Sequence, residues 1–250
     1  MNTLELDILL PAFIAGLLVL ATHIPLGIKV LERGVIFADL AVAQIAGLGV
    51  VIAGLLGLTE QPLLVQLIAA VSALCGAALL SWIETHLPEV KEACIGLTFV
   101  LAASLGILLM SHDVHSGEHL KDLLVGQILW VSNSQLIVTA ILTAALLLTW
   151  NKLHTRLRHL GFYALFAMAV TASVQLVGIY LVFASLIVPG LSTYRIKHRR
   201  LAYAVGVGVS GYASGLLLSA WFDLPAGAAI VWAMALAGGA IAVLKSRLAA

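Results

Sequence analysis

Apolar residues in this chain run in long stretches broken by short polar intervals, and the stretches have the length of membrane crossings. They cover 8–28, 35–58, 62–83, 93–111, 123–150, 160–190, 201–222 and 224–244. A helix needs about 20 mostly apolar residues to cross the hydrocarbon layer. The run at 160–190 can hold one full span to about Val177 and a shorter return helix ending near Pro189, with Gly178 as the turn. Broken helices at membrane depth are tolerated where they line a cavity inside the protein. The pattern predicts an all-α, polytopic membrane helix bundle of about eight spans, one of them re-entrant, with residues 1–250 forming a single transmembrane domain.

The charged residues sit almost entirely in the intervals. Lys29 to Arg33, Lys152 to Arg158 and Arg195 to Arg200 are basic, whereas 59–62 and the break at Asp223 and Pro225 carry few basic residues. The positive-inside rule places the basic segments in the cytoplasm. Walking the chain then puts 29–34 inside, 59–62 outside, 84–92 inside, 112–122 outside and 151–159 inside. The basic stretch at 195–200 returns inside only if 160–194 crosses an even number of times, which is why a short return helix is expected there. Pairs of small residues four apart, Ala69 and Ala73, Ala102 and Gly106, Gly211 and Gly215, predict close helix approach in lipid.

Composition narrows the function. Hydrophobic residues make up 62% and charged residues 10%, against about 25% charged in a soluble domain, so lipid must be the solvent. A net charge of +1 argues against a nucleic-acid partner. Cys75 and Cys94 form no CxxC pair and read as small buried hydrophobes. Glu5 and Asp7 stand where a basic leader would begin, so the first apolar run is expected to remain as a span. The sequence has no GxxxxGK[ST] loop for ATP, no HExxH and no GxSxG. This chain is therefore not expected to hydrolyse ATP itself.

Asp39 is the most informative residue, a carboxylate about one turn inside the second apolar run. At the bilayer centre such a group costs on the order of 2.5–3.5 kcal/mol, so it should face the bundle interior or water and serve an ion pathway. The plain alternative is an Asp at a helix end near the interface, or a hydrogen-bonded packing residue. Gln44, five residues on and about 140° around the helix, does not share its face.

A second cluster follows the fourth run. His112, Asp113, His115, Glu118 and His119 fall among three of the eight histidines and three carboxylates between 112 and 122. Imidazole with carboxylate suits borderline transition cations such as zinc. The spacing matches no closed structural site, so this is either a loose external metal-collecting loop or a solvated connector. His86, His154, His159 and His198 read as solvated loop residues, and His23, beside Pro25, as a satisfied helix histidine.

Three stretches then resemble the membrane permease of bacterial metal-uptake ABC transporters, the zinc, manganese and iron class known as the ABC-3 family. Gly27 through Asp39 resembles the family's first cytoplasmic turn. Glu92 through Leu109, followed by Leu123 through Leu129, resembles its central block, and Ser173 through Pro189 its last strong block. Order and spacing agree over roughly residues 10–245.

The resemblance implies one permease domain over the whole chain, a pair of such permeases, cytoplasmic ATP-binding subunits that supply hydrolysis, and an extracytoplasmic metal-binding protein. The location is the bacterial cytoplasmic (inner) membrane. The cargo would be a divalent transition metal ion, zinc first, with manganese or iron next, and no cofactor would be tightly bound. The family's pathway Asp is followed four residues later by a His; here that position is Ala43. Asp39 carries over and the His does not.

The segment after Pro189 resembles the place where such permeases couple to their ATPase, with Leu191, Tyr194, Arg195 and Ile196 as candidate contacts on a short helix following a Pro break. Anchoring to anionic lipid headgroups is the ordinary alternative. A gradient-driven cation transporter or channel without an ATPase is the competing function.

If the histidine loop collects metal, replacing His112, His115 and His119 together should raise the concentration for half-maximal uptake severalfold and change the maximal rate less. Metal-concentration series on parent and variant measure this, and identical curves would reduce the loop to a connector.

Overall fold

The protein is described by a computed structural model covering residues 3–58, 60–110, 127–156, 158–196 and 198–248. Among these residues every regular element is a helix: α1 (Thr3–Arg33), α2 (Ala38–Leu55), α3 (Pro62–His86), α4 (Lys91–Met110), α5 (Asn133–Arg156), α6 (Arg158–Val177), α7 (Ile179–Ser192), α8 (Arg200–Phe222) and α9 (Ala226–Leu248), with a 3-10 turn at Ile128–Trp130. Eight of them are long and apolar enough to cross a membrane. The exception, α7, has 14 residues, or roughly 21 Å of helix, short of a hydrocarbon layer of about 30 Å.

The break in the long run falls where the pattern placed it. Gly178, at φ +78, takes a conformation open mainly to glycine, and α6 ends at Val177 on one side of it. Pro189, however, does not end the short helix, which runs through it to Ser192. Thr193 Oγ1 donates to the Pro189 carbonyl at 2.7 Å and so closes the last turn. The run at 123–150 also differs from its reading as one span. Residues 127–132 form the 3-10 turn and its flanks, and α5 starts only at Asn133. The cause is a capping box: the Ser132 N–H donates to Gln135 Oε1 at 2.9 Å and the Gln135 N–H to Ser132 Oγ at 3.3 Å.

Two compact units emerge. The first comprises Met1–Arg33, Leu124–Ala145 and Gln175–Ala250. In it α1, α7, α8 and α9 pack on one another at backbone-to-backbone range. Gly27 lies against the Leu186 carbonyl, Gly208 against Leu20, and Gly211 and Gly215 against Met234 and Ile230. The Tyr212 ring covers Gly16, and its hydroxyl meets Ser185 Oγ at 3.0 Å, a buried polar pair amid aliphatic side chains.

The second unit comprises Gly34–Leu123 and Leu146–Val174. There α2 packs on α3 and α4. Gly49 meets Ala69 and Ser72, and Gly76 meets Ile45, so the close approach expected at Ala69 is made, and Ala73 is fully buried. Gly106 is different: among the described residues a side chain there would meet nothing within 4 Å, so it makes no such approach to them. Helix α6 is covered nearly all round, with Phe162, Tyr163, Phe166, Ala167 and Val170 fully buried. By contrast α3, α4 and α5 present Leu63, Leu74, Leu97, Leu101, Ile141 and Leu148 outward, as lipid-facing helices do. Cys75 lies on such a face and Cys94 is half-buried, both free, so the reading of two buried cysteines fails for Cys75.

Gly27 gives the sharpest packing test. A methyl group there would collide with the Leu186 backbone, which cannot rotate away. Gly27→Ala should therefore lower the thermal midpoint in detergent by several degrees or prevent assembly. Gly206→Ala, with nothing within 4 Å, should leave the midpoint near the parent's.

Candidate functional site

Asp39 is the second residue of α2, not a full turn inside a span. The shift has a local cause. Gly34, at φ +63, ends the α1 helix, and a tight turn in which the Ala38 N–H donates to Val35 O at 3.1 Å consumes the residues before α2. Asp39 is 1% exposed, and neither carboxylate oxygen has a hydrogen-bond partner among the described residues. Among the described residues nothing supports the reading as a hydrogen-bonded packing residue. The reading as a helix-end Asp holds for position but not for exposure. Ala41, Val42 and Ala43 beside it are buried apolar groups, so the side chain that could have been a second ligand is a methyl. Gln44 is only partly buried.

His23 is only half satisfied. Its Nδ1 lies 2.9 Å from the Val19 carbonyl and 3.0 Å from Thr22 Oγ1, while its buried Nε2 has no partner among the described residues. The carbonyl contact makes Nδ1 the protonated nitrogen and leaves a lone pair on Nε2. His86 is not in a loop but closes α3, stacked on Trp82 with ring centroids 5.0 Å apart. His154 and His159 also fall within helices, α5 and α6, and His198 lies in an exposed turn. Among the described residues no three His, Cys, Asp or Glu side chains come together as a metal-binding group. His112, Asp113, His115, Glu118 and His119 lie outside the described residues.

The four candidate coupling residues fall on one short stretch, but not on a helix of their own. Leu191 belongs to the last turn of α7, and Tyr194, Arg195 and Ile196 lie in the turn that follows. Leu191, Tyr194 and Arg195 are exposed and Ile196 is half-buried, while Thr193 is fully buried. Arg200 ties the stretch down from the start of α8. Its guanidinium donates to Glu32 Oε1 at 3.3 Å and to the Gly190 carbonyl at 3.4 Å, and lies 5.8 Å from the Tyr194 ring centre. Lys29 pairs with the same Glu32 at 2.9 Å.

Sequence reasoning missed two charged groups that organise helix ends. Glu32 and Arg200 are 168 residues apart, and no local spacing connects them. Glu92, in the first turn of α4, accepts a hydrogen bond from the Ile36 N–H at 2.6 Å. The one available signal was that carboxylates next to apolar runs need partners.

A profile described as the ABC 3 transport family matches residues 5–157 and 149–243. The "Probable iron transport system membrane protein" of Haemophilus influenzae is 26% identical over 163 residues, covering 56% of this chain. The match spans 60% of that relative's length, so about two fifths of it lies outside the alignment. The manganese transport system membrane protein MntC of Halalkalibacterium halodurans is 26% identical over 228 residues, 82% of this chain and 76% of the relative. The chelated iron transport system membrane protein YfeD of Yersinia pestis is 28% identical over 210 residues, 75% of this chain and 69% of the relative. The fold resembles a chain of PsaBC from Streptococcus pneumoniae, solved in complex with Fab, with a TM-score of 0.71 and 23% identity over 94% of this chain and 89% of that one. A family profile that follows these helices from α1 to α9 settles the classification: the chain belongs to the ABC 3 transport family.

Proposed function

We propose that this chain is the transmembrane permease of an ABC importer for a divalent transition metal ion in the bacterial cytoplasmic membrane. It would work as a pair, with cytoplasmic ATP-binding subunits and an extracytoplasmic metal-binding protein. The observation that carries the reading is Asp39, a carboxylate buried in an apolar span with both oxygens unpartnered among the described residues. Such a group is costly to keep, and a passing cation is the partner that repays it. The ion is substrate, so its contact with Asp39 must be weak enough to break on each cycle.

The relatives' names and the ligand chemistry favour the same metals. Two of the three name iron and one manganese. A carboxylate without a neighbouring imidazole, given Ala43, suits harder ions such as manganese better than zinc. This reverses the order in which zinc came first. Alternating access, driven by closure of the ATP-binding subunits, would carry the ion past Asp39.

Leu191 and Tyr194 expose an apolar and an aromatic side chain beside Arg195. That combination suits a groove on a protein partner, since aromatic and Arg side chains anchor interfaces. A gradient-driven transporter has no use for such an anchor.

Two outcomes test this. Asp39→Ala should leave the complex assembled and cut metal uptake at least about tenfold, equivalent to ~1.4 kcal/mol; uptake at the parent rate by an assembled variant would sink the pathway role. For coupling, Tyr194→Cys should crosslink to the ATP-binding subunit and Leu191→Glu should leave hydrolysis running without uptake. Thr193 is the wrong probe because it is buried as the closing residue of α7. Labelling of Tyr194→Cys from the external side alone would remove both the docking role and the sidedness.

A further inference from the structure

Within the second unit, α2 and α4 begin at the same end, and each carries a carboxylate as its second residue, Asp39 on α2 and Glu92 on α4. Among the described residues Glu92 alone of the two has a partner, and the partner is backbone: the Ile36 N–H, at 2.6 Å, in the turn Gly34–Phe37 that leads into α2. We propose that Glu92 is the positioning residue for Asp39, holding the turn from which α2 starts and so fixing where the transport carboxylate stands.

Four observations carry this. The bond joins residues 56 apart, so it is a tertiary tether and not part of a helix. A charged acceptor makes it one of the stronger hydrogen bonds available to a backbone N–H. The turn it holds is otherwise lightly fixed: Gly34 sits at φ +63, Ile36 and Phe37 are exposed, and Val35 alone is fully buried. Ile36 lies three residues before Asp39, so a shift of this turn is passed directly to the first turn of α2. The positive end of the α4 dipole favours a carboxylate at Glu92. Its second oxygen is buried without a hydrogen-bond partner among the described residues.

The inference rests on the reading of Asp39 as a pathway ligand, and the test separates the two. The assembled complex carries a spin label at Phe37→Cys, an exposed site in the turn, and manganese uptake is measured alongside label mobility. Glu92→Ala should mobilise the label and lower the maximal uptake rate about tenfold with little change in half-saturating concentration. Glu92→Gln keeps an oxygen acceptor for the Ile36 N–H, so it should restore both readouts to within about twofold of the parent. Asp39→Ala should lose uptake while its label stays immobile.

Normal uptake in Glu92→Ala overturns the proposal, as does a Glu92→Gln variant as defective as the alanine, since charge and not hydrogen-bond acceptance would then be what matters. A Glu92→Ala variant that does not assemble leaves Glu92→Gln as the deciding one. If Asp39→Ala transports normally, the pathway reading of Asp39 fails, while label mobility in Glu92→Ala still decides whether Glu92 holds the turn.

Discussion

Hydrocarbon does not push helices together as water does, so in this chain the approach of backbones must supply what the hydrophobic effect supplies elsewhere. Glycines at positions 27, 49, 211 and 215 let one helix lie against the backbone or short side chains of another. Where that approach is missing, as at Gly106, the helix faces outward with large aliphatic side chains. The rest follows from this arrangement. Close packing leaves little space for water inside each unit, so any polar group placed there must find a protein partner or serve a purpose.

Most do find one. Tyr212 and Ser185 satisfy each other, Thr193 bonds back to its own helix, and Ser219 Oγ donates to the Leu224 carbonyl at 2.7 Å where α8 ends. Glu32, Lys29 and Arg200 form a charged group where α1, α7 and α8 terminate. Asp39 stands out because both of its carboxylate oxygens lack such partners among the described residues, where His23 Nε2, Thr171 Oγ1 and Glu92 Oε2 each leave a single atom unpaired. In a lipid-solvated chain an unpaired buried acceptor is a stronger pointer to function than a cluster of charges, because it carries a cost that packing does not return.

What the sequence made legible was whatever depends on length and period. The eight spans and the turn at Gly178 follow from run length and from one residue type that tolerates positive φ. The misplaced elements failed for local reasons. Ser132 and Gln135 start α5 through a capping box that apolar run length conceals, although the S-x-x-Q spacing was there to be read. Pro189 reads as a helix end, but Pro removes only one donor, and the helix runs on to Ser192, where the Thr193 hydroxyl donates to the Pro189 carbonyl left free at the last turn. Asp39 lies nearer the start of its helix than run length implies, because three residues after Gly34 go into a turn before α2 begins. Glu92 and Arg200 were not legible at all, since their partners are 56 and 168 residues away.

The position of Asp39 at the start of a helix also bears on how tightly it would hold an ion. The positive end of the α2 dipole stabilises the bare carboxylate by roughly 0.3–1 kcal/mol in exposed settings and up to about 2 kcal/mol when partly buried. Stabilising the free anion lowers its gain on meeting a cation by the same amount, so the dipole weakens the site. A methyl group at Ala43 removes a second ligand and weakens it further. For a storage site both features would be defects. For a path they point the same way, because an ion held by one dipole-stabilised carboxylate leaves faster than one held by a carboxylate and an imidazole together. On the proposed reading Asp39 would then serve as a stepping stone, placed by the turn whose Ile36 N–H donates to Glu92.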